Sequence, residues 1–326
     1  MKHPFKQTAA IALSALTIMS ATSVYCVSAE TAETVHVIVK NERFAAADGA
    51  PWTGTLLDVQ AVLQADDSVE SVVERVIQNN GYEFTVSTYG YISSVNQLAE
   101  YACSGSGGWM ATLNDWFTAD ATTAYTVANG GLQSGDEIVL QYSCSWGADI
   151  GSLYGNFDTS LQALTVDGGS LAQPFVPSKT NYILQIPADC TAVTVVPEAF
   201  NKNYQVKTYL NDYLPAEAPL SYKKPVIVSD GDTLYIGVGN PAWPSMNSWD
   251  GTAEETVYTL HVSAHPYGDI NEDGTASIED ATLLQRYLAE FITLDDAQLA
   301  IADIDGDGDI TIKDVTALQR FMAELV

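Results

Sequence analysis

Two stretches of the chain carry oxygen ligands at a spacing that suits a hard cation. "DINEDGTASIED" runs from Asp269 to Asp280, and "DIDGDGDITIKD" runs from Asp303 to Asp314, 34 residues later. A tight loop around a calcium ion turns positions 1, 3, 5, 7, 9 and 12 inward, with glycine at position 6 for the sharp turn. The first copy offers Asp269, Asn271, Asp273, the Thr275 carbonyl, Ser277 and Asp280, with Gly274 at the turn. The second offers Asp303, Asp305, Asp307, the Asp309 carbonyl, Thr311 and Asp314, with Gly308 at the turn. A merely solvated acidic surface would have to place oxygen ligands and glycine correctly twice by chance. Hard oxygens in this number suit calcium better than soft metals or octahedral magnesium, so two Ca2+ ions are expected.

The elements that must position these ligands are a loop and an exit helix, written twice. "DINEDGTASIEDATLLQRYLAE" and "DIDGDGDITIKDVTALQRFMAE" agree at 12 of 22 positions. Leu284, Tyr287 and Leu288 in one copy, and Leu318, Phe321 and Met322 in the other, fall where two helices would pack together. Asp280 and Asp314 stand at position 12, where an EF-hand has bidentate Glu, and His265-Pro266-Tyr267-Gly268 cannot form an entry helix. A calcium sensor opens a groove between paired helices, so this is no calmodulin-like switch.

Both departures are shared with the type I dockerin family, which residues 267–326 resemble. The resemblance implies calcium-dependent binding to a cohesin module of a scaffoldin, in cellulosomes and related polysaccharide-degrading complexes. It also implies that recognition uses the pair before the last ligand and a pair within the helix. Here these are Ile278 and Glu279 with Gln285 and Arg286, and Ile312 and Lys313 with Gln319 and Arg320. Arg286, Lys313 and Arg320 are the only basic residues after Gly268. Neither copy has the small hydroxyl pair common in the best-known cohesin-binding sites, so the cohesin type stays open.

The rest of the chain bounds the context. Of 326 residues, 41 are acidic and 13 basic, for a net charge of -28, which disfavours nucleic acid and anionic lipid and favours cations and neutral partners. Lys2 and Lys6, an apolar run and Val27-Ser28-Ala29 read as a signal peptide over 1–29, so a secreted chain is expected; a retained anchor is the alternative. No later stretch is apolar enough to span a bilayer. The mature chain keeps Cys103, Cys144 and Cys190; Cys103 and Cys144 lie in one segment and are the candidate disulfide.

Residues 30–150 mix strand and helix. "TVHVIVK" alternates, and "DSVESVVERVIQNNGY" puts Val69, Val72, Val73, Val76 and Ile77 on one helical face, with Asp67 and Glu70 placed for a capping box and Gly81 for the stop. An α+β fold with a helix across a sheet follows, with Trp109 and Trp116 expected in its core. The helix, "GGWMATLND" and "LQSGDEIVLQY" resemble the DUF4430 family, which is similar to the C-terminal domain of transcobalamin; this implies a β-grasp-like fold and a ligand-binding or adhesive module. Residues 157–263 read as short strands with regular turns and no helical period, hence a β-sandwich. "SLQALTVDGG" and "VYTLHV" resemble bacterial cadherin-like modules, which implies a spacer or adhesion role. Residues 264–268 form the joint to the C-terminal segment.

The expected fold class is therefore multidomain: α+β (β-grasp-like), then an all-β sandwich, then a small all-α calcium-binding dockerin of two loop-helix repeats over 269–326. Trp243 and Trp249, in the long "NPAWPSMNSWDG" insertion, are candidate sugar-stacking faces, with capping of the open sandwich as the alternative. His36, His261 and His265 form no paired-histidine metal motif, and "CSGSGGW" fails the G-x-S-x-G spacing. A secreted, non-catalytic component of a polysaccharide-degrading complex is the leading expectation. A carbohydrate-binding targeting protein and an unrecognised glycoside hydrolase are the alternatives, since glycosidase carboxylates have no local signature.

Overall fold

In a computed structural model, residues 33–88, 90–188, 190–214, 219–247 and 253–324 are described. Strand β1 (Thr34–Asn41) buries Val35, Val37, Val39 and Asn41 on one side, because successive side chains alternate across a strand. It pairs antiparallel with β2 (Gly54–Val62). Helix α1 (Val69–Asn79) follows and lays Val69, Val72, Val73, Val76 and Ile77 into the same core. Strands β3 (Phe84–Val86), β4 (Ile92–Val95) and β5 (Leu98–Ala99) make a small separate sheet. With β6 (Gly108–Leu113), β7 (Trp116–Phe117) and β8 (Glu137–Ser143), the main sheet has the order β2-β1-β8-β6-β7, and β1 and β8 run parallel. Trp109 and Trp116 are both buried, and Trp109 donates its indole N–H to the Leu98 carbonyl at 3.0 Å.

The cap of α1 differs from the expected one by a residue. Ser68 is the N-cap, and it exchanges bonds with Ser71: Ser71 N–H reaches the Ser68 hydroxyl at 3.1 Å and Ser68 N–H reaches the Ser71 hydroxyl at 2.9 Å. Starting the helix at Val69 keeps its apolar face on the sheet and releases both acids. Glu70 accepts from the Thr122 hydroxyl at 2.9 Å. Asp67, buried, takes both arms of the Arg75 guanidinium. Cys103 and Cys144 are bridged, with Cα atoms 5.8 Å apart, and Cys190 is a free thiol. Closing a loop of this length stabilises by about 4 kcal/mol on the chain-entropy model.

The second layer pair is all β. Strands β9 (Leu161–Asp167), β10 (Ser170–Leu171), β11 (Asn181–Gln185), β12 (Ala192–Ala199), β13 (Val206–Leu210), β14 (Val226–Ile227), β15 (Thr233–Val238) and β16 (Thr256–Ser263) form two sheets. Their orders are β10-β11-β16-β15-β13 and β14-β12-β9. Leu161, Val193 and Val195 of one sheet meet Leu184, Leu234, Ile236 and Leu260 of the other. Buried Asn201, Asn203 and Asn247 tie the 151–156 segment to this sandwich, with Asn201 and Asn247 amides donating to the Asn156 carbonyl at 2.8 Å. Across to the first sheet, Lys202 pairs with Asp115 at 2.5 Å and the Phe117 N–H donates to the Lys202 carbonyl at 2.8 Å.

The C-terminal segment is helical: α2 (Ile278–Leu288), α3 (Asp296–Ala302) and α4 (Ile312–Glu324). Leu284 and Leu318 are fully buried between α2 and α4, and Tyr287, Leu288, Phe321 and Met322 pack around them half-buried. Helix α3 was not expected; Asp295 and Gln298 cap it reciprocally, and the Gln298 side-chain amide donates to the Ile270 carbonyl in the first loop at 3.0 Å. Tyr267 of the joint is buried edge-on against Phe321, and Ile183 of the sandwich shares the same core. No helix among the described residues is long and apolar enough to cross a membrane.

The Asp67–Arg75 pair yields a pH-dependent prediction. Burial pushes the Asp67 carboxyl up, but the Arg75 hydrogen bonds, the Gln64 N–H and the Arg75 charge outweigh it and hold the carboxyl below its usual value of 3.8. A depressed native value stabilises the fold above about pH 4 and is lost as pH falls through it. Asp67→Asn is expected to cost about 3 kcal/mol at pH 7, the low end for a buried pair because Arg75 is partly exposed. In denaturant unfolding at falling pH, that gap to the parent should close below pH 4; a gap unchanged in acid would contradict the assignment.

Candidate metal centre

In the first loop, two fully buried carboxylates hold the chain closed. Asp269 accepts from the N–H groups of Asp273 at 3.0 Å and Gly274 at 2.8 Å. Asp280 accepts from Asn271 N–H at 2.9 Å and from Ser277 N–H at 2.7 Å. Ser277 is also the N-cap of α2, so ligand positions 9 and 12 are the cap and third residue of the exit helix. Asp280 at position 12 therefore serves twice, closing the loop and completing the capping box of the exit helix. Asp273 accepts from the Thr275 N–H at 2.9 Å, which brings the Thr275 carbonyl strand of the loop round the turn at Gly274.

The second loop repeats the pattern at its ends and adds one bond at position 4. Asp303 accepts from Gly306, Asp307 and Gly308 N–H groups at 2.7, 3.1 and 3.0 Å, and buried Asp314 accepts from Asp305 and Thr311 N–H groups at 3.1 and 2.7 Å. Asp309 donates its N–H to Asp307 at 3.0 Å. Asp303, Asp305 and Asp307 each place a carboxylate oxygen within 4.8 Å of the others. Oxygens bound to one calcium at 2.3–2.6 Å lie at most about 5 Å apart, so these three carboxylates are close enough to share one calcium. Burial raises the Asp303 carboxyl, the Gly308 and Gly306 N–H groups partly offset this, and the charges of Asp314 and Asp305 raise it further. A bound cation reverses that balance and holds the carboxylates ionised. In both loops the residue at position 2, Ile270 or Ile304, is buried in the C-terminal core, so loop closure and helix packing form together.

The eight residues expected to meet a partner are all exposed: Ile278, Glu279, Gln285 and Arg286 on one repeat, and Ile312, Lys313, Gln319 and Arg320 on the other. Ile278 and Ile312 are each 63% exposed, unusual for isoleucine and equal in the two copies. The two sets differ in charge at one place. Lys313 pairs with Asp307 at 2.7 Å, and among the described residues Glu279 has no matching ion pair.

One feature of the site had no signal in the sequence. The sandwich reaches the second loop: Lys179 Nζ donates to the Asp305 carbonyl at 2.9 Å and to the Gln173 side chain, and Gln173 and Tyr267 both donate to the Ile304 carbonyl. Burial lowers the Lys179 ammonium, and Asp303, Asp305 and Asp314 pull it back only in part. Position 4 of this loop is Gly306, at φ +70°, where an added Cβ would lie 2.0 Å from Lys179 Cε and 2.9 Å from the Asn181 carbonyl oxygen. The first loop has Glu272 at the same position. Of the two candidate sugar-stacking residues, Trp243 is half-buried with Lys207 Nζ 4.5 Å from its ring centre, and Trp249 lies outside the described residues.

Gly306→Ala and Gly274→Ala both force alanine into positive φ, at about 1–2 kcal/mol each. Only Gly306 has neighbours to strike, since nothing lies within 4 Å of a Cβ at Gly274. Gly306→Ala is therefore expected to destabilise the C-terminal segment more and to expose the 264–268 joint to limited proteolysis. Equal losses for the two variants would contradict the packing of the second loop on the sandwich.

No curated protein matches the chain. Residues 267–323, which hold both loops and the three helices, match the family model described as the dockerin type I domain.

Proposed function

We propose that the chain is a secreted, non-catalytic component of a cellulosome-like, polysaccharide-degrading complex, attached to a cohesin module of a scaffoldin through its calcium-loaded C-terminal segment. The dockerin match supports cohesin as the partner. The observation that carries the reading is the pair of equivalent exposed surfaces, Ile278-Glu279 with Gln285-Arg286 and Ile312-Lys313 with Gln319-Arg320, left open by the described upstream residues. The upstream segments serve adhesion or ligand capture: a mixed sheet crossed by one helix, in keeping with the DUF4430 resemblance, then a sandwich of the cadherin-like kind. Release of soluble sugar from a polysaccharide by the purified protein would overturn the non-catalytic part.

Because the two repeats present nearly the same side chains, a half-turn of the module offers a cohesin a second copy of one surface. Glu279 opposite Lys313 sets the preferred orientation through charge complementarity. Losing one of two equal orientations would cost RT ln 2, about 0.4 kcal/mol, and losing the preferred one costs somewhat more. Arg286→Ala or Arg320→Ala alone should weaken cohesin binding by a few-fold in calorimetry, and the double variant by far more than the product of the singles. Abolition by one single substitution, with no effect of the other, would show a single working surface.

A further inference from the structure

Between the main sheet of the first segment and the sandwich lies a cleft of about 400 Å³, within the usual range for small-ligand sites. One wall carries Leu113, Trp116 and Tyr125; the other carries Val206, Lys207, Leu220, Tyr222, Lys223 and Lys224. The walls are fixed to each other by the Lys202–Asp115 pair and by Lys223, which reaches Glu137 at 3.1 Å. The charge of this lining is the reverse of the chain's. Three lysines and one acid, Asp136, face the cleft in a protein with 41 acidic and 13 basic residues.

The lysines are not all accounted for by structure. Lys223 has its carboxylate, whereas Lys207 and Lys224 have no ion pair or hydrogen bond among the described residues. Lys207 is half-buried on β13 with its ammonium over the Trp243 ring, and the exposed Lys224 runs its stem beside Gly135. A half-buried ammonium without a carboxylate is costly unless a ligand completes it. The lining also carries Tyr125, Tyr222 and the edge of the mostly buried Trp116, with Trp116 and Tyr125 edge-on at 5.7 Å.

We propose that this cleft binds a small organic anion in which a single carboxylate is joined to a ring. Lys207 and Lys224 hold the carboxylate, and Trp116, Tyr125 and Tyr222 contact the ring. A singly charged group fits better than phosphate, because no arginine fork lines the cleft and Asp136 opposes a second negative charge. A sugar acid and an aromatic acid both meet this description. The site is formed by elements remote from the calcium loops, so it stands or falls independently of cohesin binding.

The test is titration of the calcium-loaded full chain with galacturonate, with 4-hydroxybenzoate and with neutral cellotriose, followed by calorimetry and by the Trp116 indole resonance. One carboxylated probe is expected to bind saturably, weaken as salt is raised and shift Trp116, and its identity names the source. Cellotriose should not bind. Lys207→Met, which keeps the aliphatic stem, should weaken that probe at least tenfold with an unchanged melting temperature. Absence of saturable binding by both acids, equal binding of cellotriose, or unchanged affinity in the Lys207→Met, Lys224→Met double variant would overturn the proposal. If the variants fold poorly, salt-independent binding with no Trp116 shift in the parent protein overturns it equally.

Discussion

Carboxylates gathered into a short loop repel one another, and offsetting that repulsion is the constraint on which the C-terminal structure turns. Asp269, Asp280 and Asp314 are fully buried, and Asp303, Asp305 and Asp307 bring oxygens within 4.8 Å of one another. Backbone N–H groups supply part of the compensation, but few basic side chains approach the two loops, Lys313 and Lys179 among them. Everything beyond the loops is built on their closure. Positions 9 and 12 cap the exit helices, and position 2 inserts an isoleucine into the core between them. Ligation free energy thereby becomes folding free energy for the whole segment.

The second loop also joins the segment to the rest of the molecule. Lys179 and Gln173 bind carbonyls of Asp305 and Ile304, and glycine at position 306 lets the loop lie against Asn181. The first loop, with Glu272 at that place, is tied instead to α3 through Gln298. Two copies that are nearly identical in sequence thus have different duties: one is held by the sandwich, the other by its own module. Both outward surfaces remain exposed, so the asymmetry lies on the inner side and leaves the exposed side duplicated.

Much of this was legible from local pattern. The ligand spacing names both loops, the 3.6-residue period of Val69 to Ile77 names the buried face of α1, and the alternation of Val35, Val37 and Val39 names a strand with one core side. What escaped was either short or distant. Helix α3 has seven residues, too few for a period to stand out. The cap of α1 falls on Ser68 because Asp67 is drawn to Arg75, eight residues on, which a capping pattern does not weigh. The contacts of Lys179 with Asp305, and of Lys207 with Trp243, join residues far apart in the chain, and no local signal marks them. Composition did hold a clue: in so acidic a chain, lysines clustered near 202–224 ask for an explanation.

The most direct test of the account is hydrogen exchange on the intact chain, with and without calcium, alongside a calorimetric count of bound ions. Two ions are predicted, and chelation should remove amide protection from α2 and α4 while leaving α1 and the strands of both upstream segments protected. One ion, or α2 and α4 equally protected after chelation, would contradict the claim that calcium in both loops folds the docking segment.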